Sequence, residues 1–164
     1  ADFGHVSVSN PGSYVLRLSA PGPYSVLEGD SLTFTVVSGV PQMAKLSALP
    51  SQILAAVPLV PAPQLSLLDD GGFVSSSFSG LVNFTVLDSV GTILQNFTAN
   101  ASSGVGTLTT FAPSVVGGPF TMLATVIGTS LSATSSPFRV RPGPLDALVI
   151  VTPPGDGIVN VPLT

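Results

Sequence analysis

Apolar and polar positions alternate along this chain in short runs, and each run ends at a cluster of turn residues. The clearest case is Leu81 to Leu87, where Val82, Phe84 and Val86 alternate with Asn83 and Thr85. A period of two sends neighbouring side chains to opposite faces of a strand. Similar runs cover 13–19, 31–37, 43–49, 55–59, 64–68, 92–99, 105–111, 120–127 and 130–140. Between them stand Asn10-Pro11-Gly12, Pro21-Gly22-Pro23, Glu28-Gly29-Asp30, Asp69-Asp70-Gly71-Gly72, Asp88 to Gly91, Asn100 to Gly104, Pro113 to Pro119 and Gly128-Thr129. No stretch has a helical period. Short strands at this spacing, with turn chemistry between them, predict an all-β fold built from antiparallel β-sandwiches. The core expected for 41–143 is Leu46, Leu65, Leu67, Val82, Phe84, Val86, Leu108, Phe111, Phe120, Met122, Ala124, Leu131 and Phe138.

The pattern also returns on itself. Set 33–60 against 137–164 without gaps, and seven of 28 positions are identical: Phe34, Val36, Gly39, Pro50, Val57, Pro58 and Leu59. An apolar run, a Gly turn, a Pro turn and Val-Pro-Leu recur 104 residues later. That distance is the size of one domain. The expected organisation is the C-terminal part of one repeat in 1–40, a complete repeat in 41–143 and the N-terminal part of the next in 144–164. The last piece has half a sheet face to bury and is expected to need another repeat, or another chain, for order. A single domain would not begin and end inside repeats, so a longer tandem chain is expected, with any signal peptide outside this stretch.

Charge changes the picture most. Only 7% of residues are charged, with Lys45 the one lysine and Arg17, Arg139 and Arg141 the three arginines. Ordinary soluble domains carry about 25%. Nothing here could neutralise a row of phosphates, which excludes nucleic acid as a partner. The uncharged stretches 46–68 and 89–138 are broken by Pro and Gly, so neither reads as a membrane-spanning helix. No cysteine is present, which removes disulfides and thiolate metal sites. Another agent must then keep the surface soluble, either glycans or neighbouring chains.

Glycan acceptors are present. Asn83-Phe84-Thr85, Asn96-Phe97-Thr98 and Asn100-Ala101-Ser102 are N-glycosylation sequons with no Pro at the middle position. A Ser/Thr-rich chain also produces such triplets by chance. Asn96 and Asn100 are expected near a turn, at a loop end, whereas Asn83 sits inside a strand and must face outward. Other candidates read as structure. Asp69-Asp70 has no third acid nearby for Ca²⁺ and reads as a turn. His5, the one histidine, has no Gly-x-Ser-x-Gly elbow to serve, and Glu28 with Asp30 flanks a turn. No catalytic, cofactor or metal site is expected, and the chain is read as a non-enzyme.

Several stretches together resemble the tandem immunoglobulin-like repeats of very large extracellular proteins, of the bacterial Ig-like and filamin type. They are Pro63 to Asp69, Leu81 to Val86, Gly104 to Leu108, Gly118 to Met122 and Ser136 to Val140. The turn Asp69-Asp70-Gly71-Gly72 departs from the family's pattern by lacking an Asn. A narrower resemblance, in the Ala/Ser/Pro/Val/Leu-rich and Lys-poor composition, is to the giant Ig-like chains at the axis of algal ciliary hairs, the mastigonemes. The resemblance implies a spacer, stalk or filament module outside the cell or at its surface. Its partners would be neighbouring repeats, other fibre subunits and glycans. It also implies that Pro58, Pro61 and Pro63 are candidates for hydroxylation and O-glycosylation, the alternative being edge-strand prolines that block aggregation. Two other readings remain. One is an adhesive module for a carbohydrate or receptor, for which Tyr14 and Tyr24 are the only tyrosines. The other is a cytosolic cross-linker of the filamin kind.

Overall fold

In the computed structural model the described residues are 6–21 and 26–143. His5, Tyr24 and the expected repeat head at 144–164 lie outside them. The fold is all-β. In chain order the strands are β1 (Gly12–Tyr14), β2 (Arg17–Pro21), β3 (Val26–Asp30), β4 (Phe34–Val36), β5 (Met43–Leu46), β6 (Gln52–Leu54), β7 (Gln64–Leu68), β8 (Gly80–Leu87), β9 (Ile93–Ser102), β10 (Val105–Thr107), β11 (Gly117–Val126), β12 (Ser132–Thr134) and β13 (Phe138–Arg141).

Strands β5 to β13 form one hydrogen-bonded assembly in the order β5-β7-β10-β9-β8-β11-β13-β6, with β12 also on β11. The sheet curls until β12 lies beside β5, so its two halves face each other as a sandwich. β11 changes partners along its length. Gly117 to Phe120 pairs with β13, and Thr121 to Val126 pairs with β8 on one edge and β12 on the other. Pairing is antiparallel except at one edge, where β6 runs parallel to β13 through Gln52↔Arg139, Ile53↔Val140 and Leu54↔Arg141. Pro50 ends the run that holds β5, and a strand that leaves one sheet half at such a break can return along the other.

The core between the halves is apolar. Leu65, Leu67, Val82, Phe84, Phe111, Met122 and Ala124 are fully buried. Leu46 and Leu131, expected inside, are only partly buried at its margin, while Ile53, Ala55, Ala101, Val126 and Val140 complete it. Several expected strands are divided or shifted. The run 130–140 breaks at Ser135, whose hydroxyl accepts the Met122 N–H at 2.9 Å. Glu28 to Asp30 is strand, paired with β2, rather than turn. The second short piece is Gln52–Leu54 rather than 55–59, because Ala56 takes a positive φ of 58° and turns the chain there.

The N-terminal strands reproduce the end of this sandwich. Arg17↔Asp30, Leu18↔Gly29 and Ser19↔Glu28 correspond to Leu123↔Thr134, Ala124↔Ala133 and Thr125↔Ser132. Ser31 bonds both ways with Leu16: its N–H donates to the Leu16 carbonyl at 2.8 Å and its Oγ accepts the Leu16 N–H at 2.9 Å. Ser135 does the same with Met122 at 2.8 and 2.9 Å. Farther along, Gly12↔Val36 and Tyr14↔Phe34 correspond to Gly117↔Val140 and Phe120↔Phe138. The paired rings stand 6.1 Å apart in one case and 6.2 Å in the other. Thus β1 with β2 plays the part of β11, β3 that of β12 and β4 that of β13.

Candidate functional site

The sequons gather on one surface. Because Val82, Phe84 and Val86 of β8 point into the core, Asn83 and Thr85 point away from it. The register of β9 sets Thr98 opposite Asn83, Asn96 opposite Thr85 and Asn100 opposite Leu81. All three sequon asparagines therefore share the outer face of β8 and β9. Asn96 and Asn100 do not lie at a loop end, because β9 continues through Ser102 and the turn begins only at Ser103.

The three sites differ in access. Asn96 and Asn100 are exposed, and Asn83 is half-buried on a central strand between Thr98 of β9 and Thr125 of β11. The Thr85 hydroxyl donates to Asn96 Oδ1 at 3.3 Å, so one sequon's threonine touches the next sequon's asparagine. Asn83 Oδ1 is enclosed and has no hydrogen-bond partner. A buried acceptor left unpaired costs about 1–3 kcal/mol. The face continues through Leu123 and Thr125 of β11 to Ser132 and Thr134 of β12. None of the four strands β8, β9, β11 and β12 contains a charged residue. Where this sandwich has Leu123 and Thr134, the N-terminal hairpin has Arg17 and Asp30, bridged at 2.7 Å.

A second constellation holds the connection between hairpin and sandwich. The Gly39 N–H donates to Asp69 Oδ2 at 2.9 Å, and the Gly39 carbonyl accepts the Ser75 hydroxyl. Ser38 Oγ accepts the Ser76 N–H at 2.9 Å. The other carboxylate oxygen, Asp69 Oδ1, accepts the Phe73 N–H at 2.9 Å. Asp69 thus serves the turn that sequence predicts and, in addition, grips the incoming chain. Its two oxygens are both engaged by backbone donors, which leaves the turn reading in place of a cation site. Sequence reasoning missed Ser38, Ser75 and Ser76. The signal was the recurrence of Gly39 as Gly143; at Gly39 it is the backbone groups that are used.

The Gly39 N–H, followed by that of Phe73, holds the Asp69 carboxyl below its ordinary value. A donor that favours the charged form is stronger in the folded state, so the grip is complete above the ordinary carboxylate range. It is lost as the pH falls below that range and through the depressed folded value. Asp69→Ala removes both bonds at any pH. The expected result is hydrogen exchange at Gly39 and Phe73 accelerated about tenfold or more, with β8 and β11 amides unchanged. Equal acceleration throughout the sandwich would show that Asp69 supports the whole fold rather than the connection.

Among the described residues there is no group of three His, Cys, Asp or Glu placed to hold a metal ion. No helix of the described residues is long and apolar enough to cross a membrane. Comparison with protein-family models and with curated proteins finds no match for the chain.

Proposed function

We propose that this chain is a segment of a long extracellular protein of tandem Ig-like sandwiches, whose work is mechanical as a stalk, filament or fibre axis. The observation that carries the proposal is the duplicated hairpin. Residues 12–36 repeat the pairing of 117–140, down to the two-way serine bridge. A chain that holds the end of one sandwich and then a whole one is organised as an array, and in an array length grows with repeat number. The strand order supports the Ig-like reading. β5-β7-β10-β9 follows the A-B-E-D sheet, β8-β11-β13 follows C-F-G, and β6 returns as a parallel edge on the last strand. The grip of Asp69, Ser75 and Ser76 on Ser38 and Gly39 suits a stiff joint between units.

The uncharged outer face of β8, β9, β11 and β12 is then the covered one. Its three sequons supply the means, and glycans replace there the charges that the N-terminal hairpin carries. The more specific identity as an axial protein of algal mastigonemes rests on composition and belongs to the same proposal. The adhesive alternative would use aromatic residues as a sugar platform, and Tyr14 is committed to packing against Phe34. Prolines in 58–63 divide by exposure, since Pro58 and Pro61 are open to modifying enzymes and Pro63 is fully buried.

Intact-glycopeptide mass spectrometry on native material tests the covering. The expected outcome is sugar on Asn96 and Asn100 and lower occupancy at half-buried Asn83. Bare peptide at all three would reject the glycan coat and the extracellular placement that depends on it.

A further inference from the structure

Building on the repeat proposed above, we infer that the N-terminal hairpin is a strand-accepting half-sandwich whose partner is the front of a sandwich of its own kind, a segment equivalent to 41–116. Among the described residues no second layer of strands lies on the hairpin's inner face, and its apolar residues are partly exposed. Leu16 is 39% exposed, Leu18 44% and Phe34 39%, whereas their counterparts Met122, Ala124 and Phe138 are 0%, 0% and 1% exposed. Three matched apolar residues differ only in whether a second layer covers them. In the complete sandwich that layer is supplied by the strands before β11.

Both free edges are specified as well. Among the described residues β2 pairs only with β3, and β4 only with β1. The counterpart of β2, the second part of β11, carries β8 on its other edge through Met122↔Val86, Leu123↔Thr85, Ala124↔Phe84 and Thr125↔Asn83. The counterpart of β4 is β13, which carries β6 in parallel. Residues 16–19 therefore call for an antiparallel strand of the β8 type, with apolar residues opposite Leu16 and Leu18. Residues 35–37 call for a short parallel strand of the β6 type. Unpaired backbone groups along such edges are the recognition surface, and alternate side chains set the register. The occupant is uncharged on both faces of its β8-type strand and brings its own half of the core.

The test replaces residues 1–11 of the chain by a second copy of 41–116 joined directly to Gly12, in the register that joins 116 to Gly117. Expected is protection of the 17–19 and 34–36 amides from hydrogen exchange, slowed about 100-fold or more against the unextended chain. Phe84→Asp in the added copy returns those rates to the unextended values. Exchange as fast with the added copy as without it would overturn the assignment, and so would protection that survives Phe84→Asp. Leu16→Asp with Leu18→Asp supplies a second measurement in the unextended chain. The melting temperature of the complete sandwich should not move, and a fall would mean that these residues already pack against it. Exchange is read on unglycosylated protein, so bare sequons leave this result untouched and failed protection leaves the glycan result standing.

Discussion

Phe111→Ala is expected to destabilise the complete sandwich by about 3–5 kcal/mol, the range for deleting a buried phenylalanine side chain. Phe111 is fully buried, and it joins two edge-to-face contacts. Its ring stands 5.6 Å from that of Phe97 at 85° and 6.5 Å from that of Phe138 at 89°. Phe97 comes from β9 and Phe138 from β13, so this one side chain ties the β9 side of the sheet to the last strand. Removing it loses the transfer term, both aromatic contacts and the filling of the space between the layers. The Phe111 carbonyl also accepts the Leu59 N–H at 2.9 Å, a backbone bond that the substitution leaves in place. Relaxation of the Leu59 segment into the gap is thereby limited, which argues for the upper part of the range. A domain of this size is stable by only about 5–15 kcal/mol in total. Calorimetry should accordingly show the main transition lowered by roughly 15–30 °C. Phe111→Leu keeps most of the volume and should cost less than half as much. A small shift with Phe111→Ala, comparable to that of a surface substitution, would mean that the layers are not packed through this ring.

The strands were legible where alternation was strict. Gln64–Leu68 is the predicted run residue for residue, and β8 has Val82, Phe84 and Val86 inside as the alternation requires. Eleven of the thirteen core residues expected within 41–143 are buried, all but Leu46 and Leu131. What failed was local in appearance and tertiary in cause. Asn100 to Ser102 has the composition of a turn, but β8 extends to Gly80 and pairs with Ala101, so the ladder carries β9 onward. Glu28-Gly29-Asp30 also reads as a turn, yet Arg17 opposite Asp30 supplies a bidentate ion pair across the strands. Val105 to Phe111 intersperses apolar residues with Gly and Thr and reads as one strand, but only Val105–Thr107 is strand; beyond it the Leu108 N–H goes to the Pro63 carbonyl.

The likeness between the hairpin and the end of the sandwich shows the same division. Identity along 33–60 and 137–164 was visible in the letters. The likeness of 12–31 to 117–135 was not, because Arg17 stands for Leu123, Gly29 for Ala133 and Asp30 for Thr134. The run from Arg17 to its partner Asp30 is also two residues longer than the run from Leu123 to its partner Thr134, which breaks an ungapped match. Hydrogen-bond register survives such changes because it depends on the backbone, while outward side chains are free to vary. The sequons were legible as triplets. Their gathering on one face was not, since it requires the β8–β9 register. The grip at Gly39 joins residues about thirty positions apart through backbone groups, and backbone groups leave almost no mark in a sequence.

The connection between β9 and β10 offers the second large effect. Gly104→Ala is expected to cost about 2–4 kcal/mol, from two separable sources. Gly104 has φ +76°, a conformation that costs an L-residue about 1–2 kcal/mol. A Cβ built there would also meet the Ser75 carbonyl oxygen at 2.6 Å and Val74 Cγ1 at 2.8 Å. Neither neighbour can yield cheaply. The Gly104 N–H donates to the Phe78 carbonyl at 2.9 Å and its own carbonyl accepts the Leu67 N–H at 2.8 Å, which fixes Gly104 between β7 and the 75–78 loop. Ser75 is itself pinned, with its N–H on the Leu67 carbonyl at 2.8 Å and its hydroxyl on Gly39. Gly128→Ala is the matched control, because Gly128 has φ +83° and open space around it. It should cost about 1–2 kcal/mol, the conformational part alone. Urea unfolding of the two variants separates the sources at an unchanged m-value. An excess of Gly104→Ala over Gly128→Ala measures the close approach of β9, β7 and the loop that carries Ser75. Equal losses would show that no such approach exists. Because Ser75 also bonds Gly39, exchange at Gly39 should quicken in Gly104→Ala and stay unchanged in Gly128→Ala, linking a turn inside the sandwich to the stiffness of the joint before it.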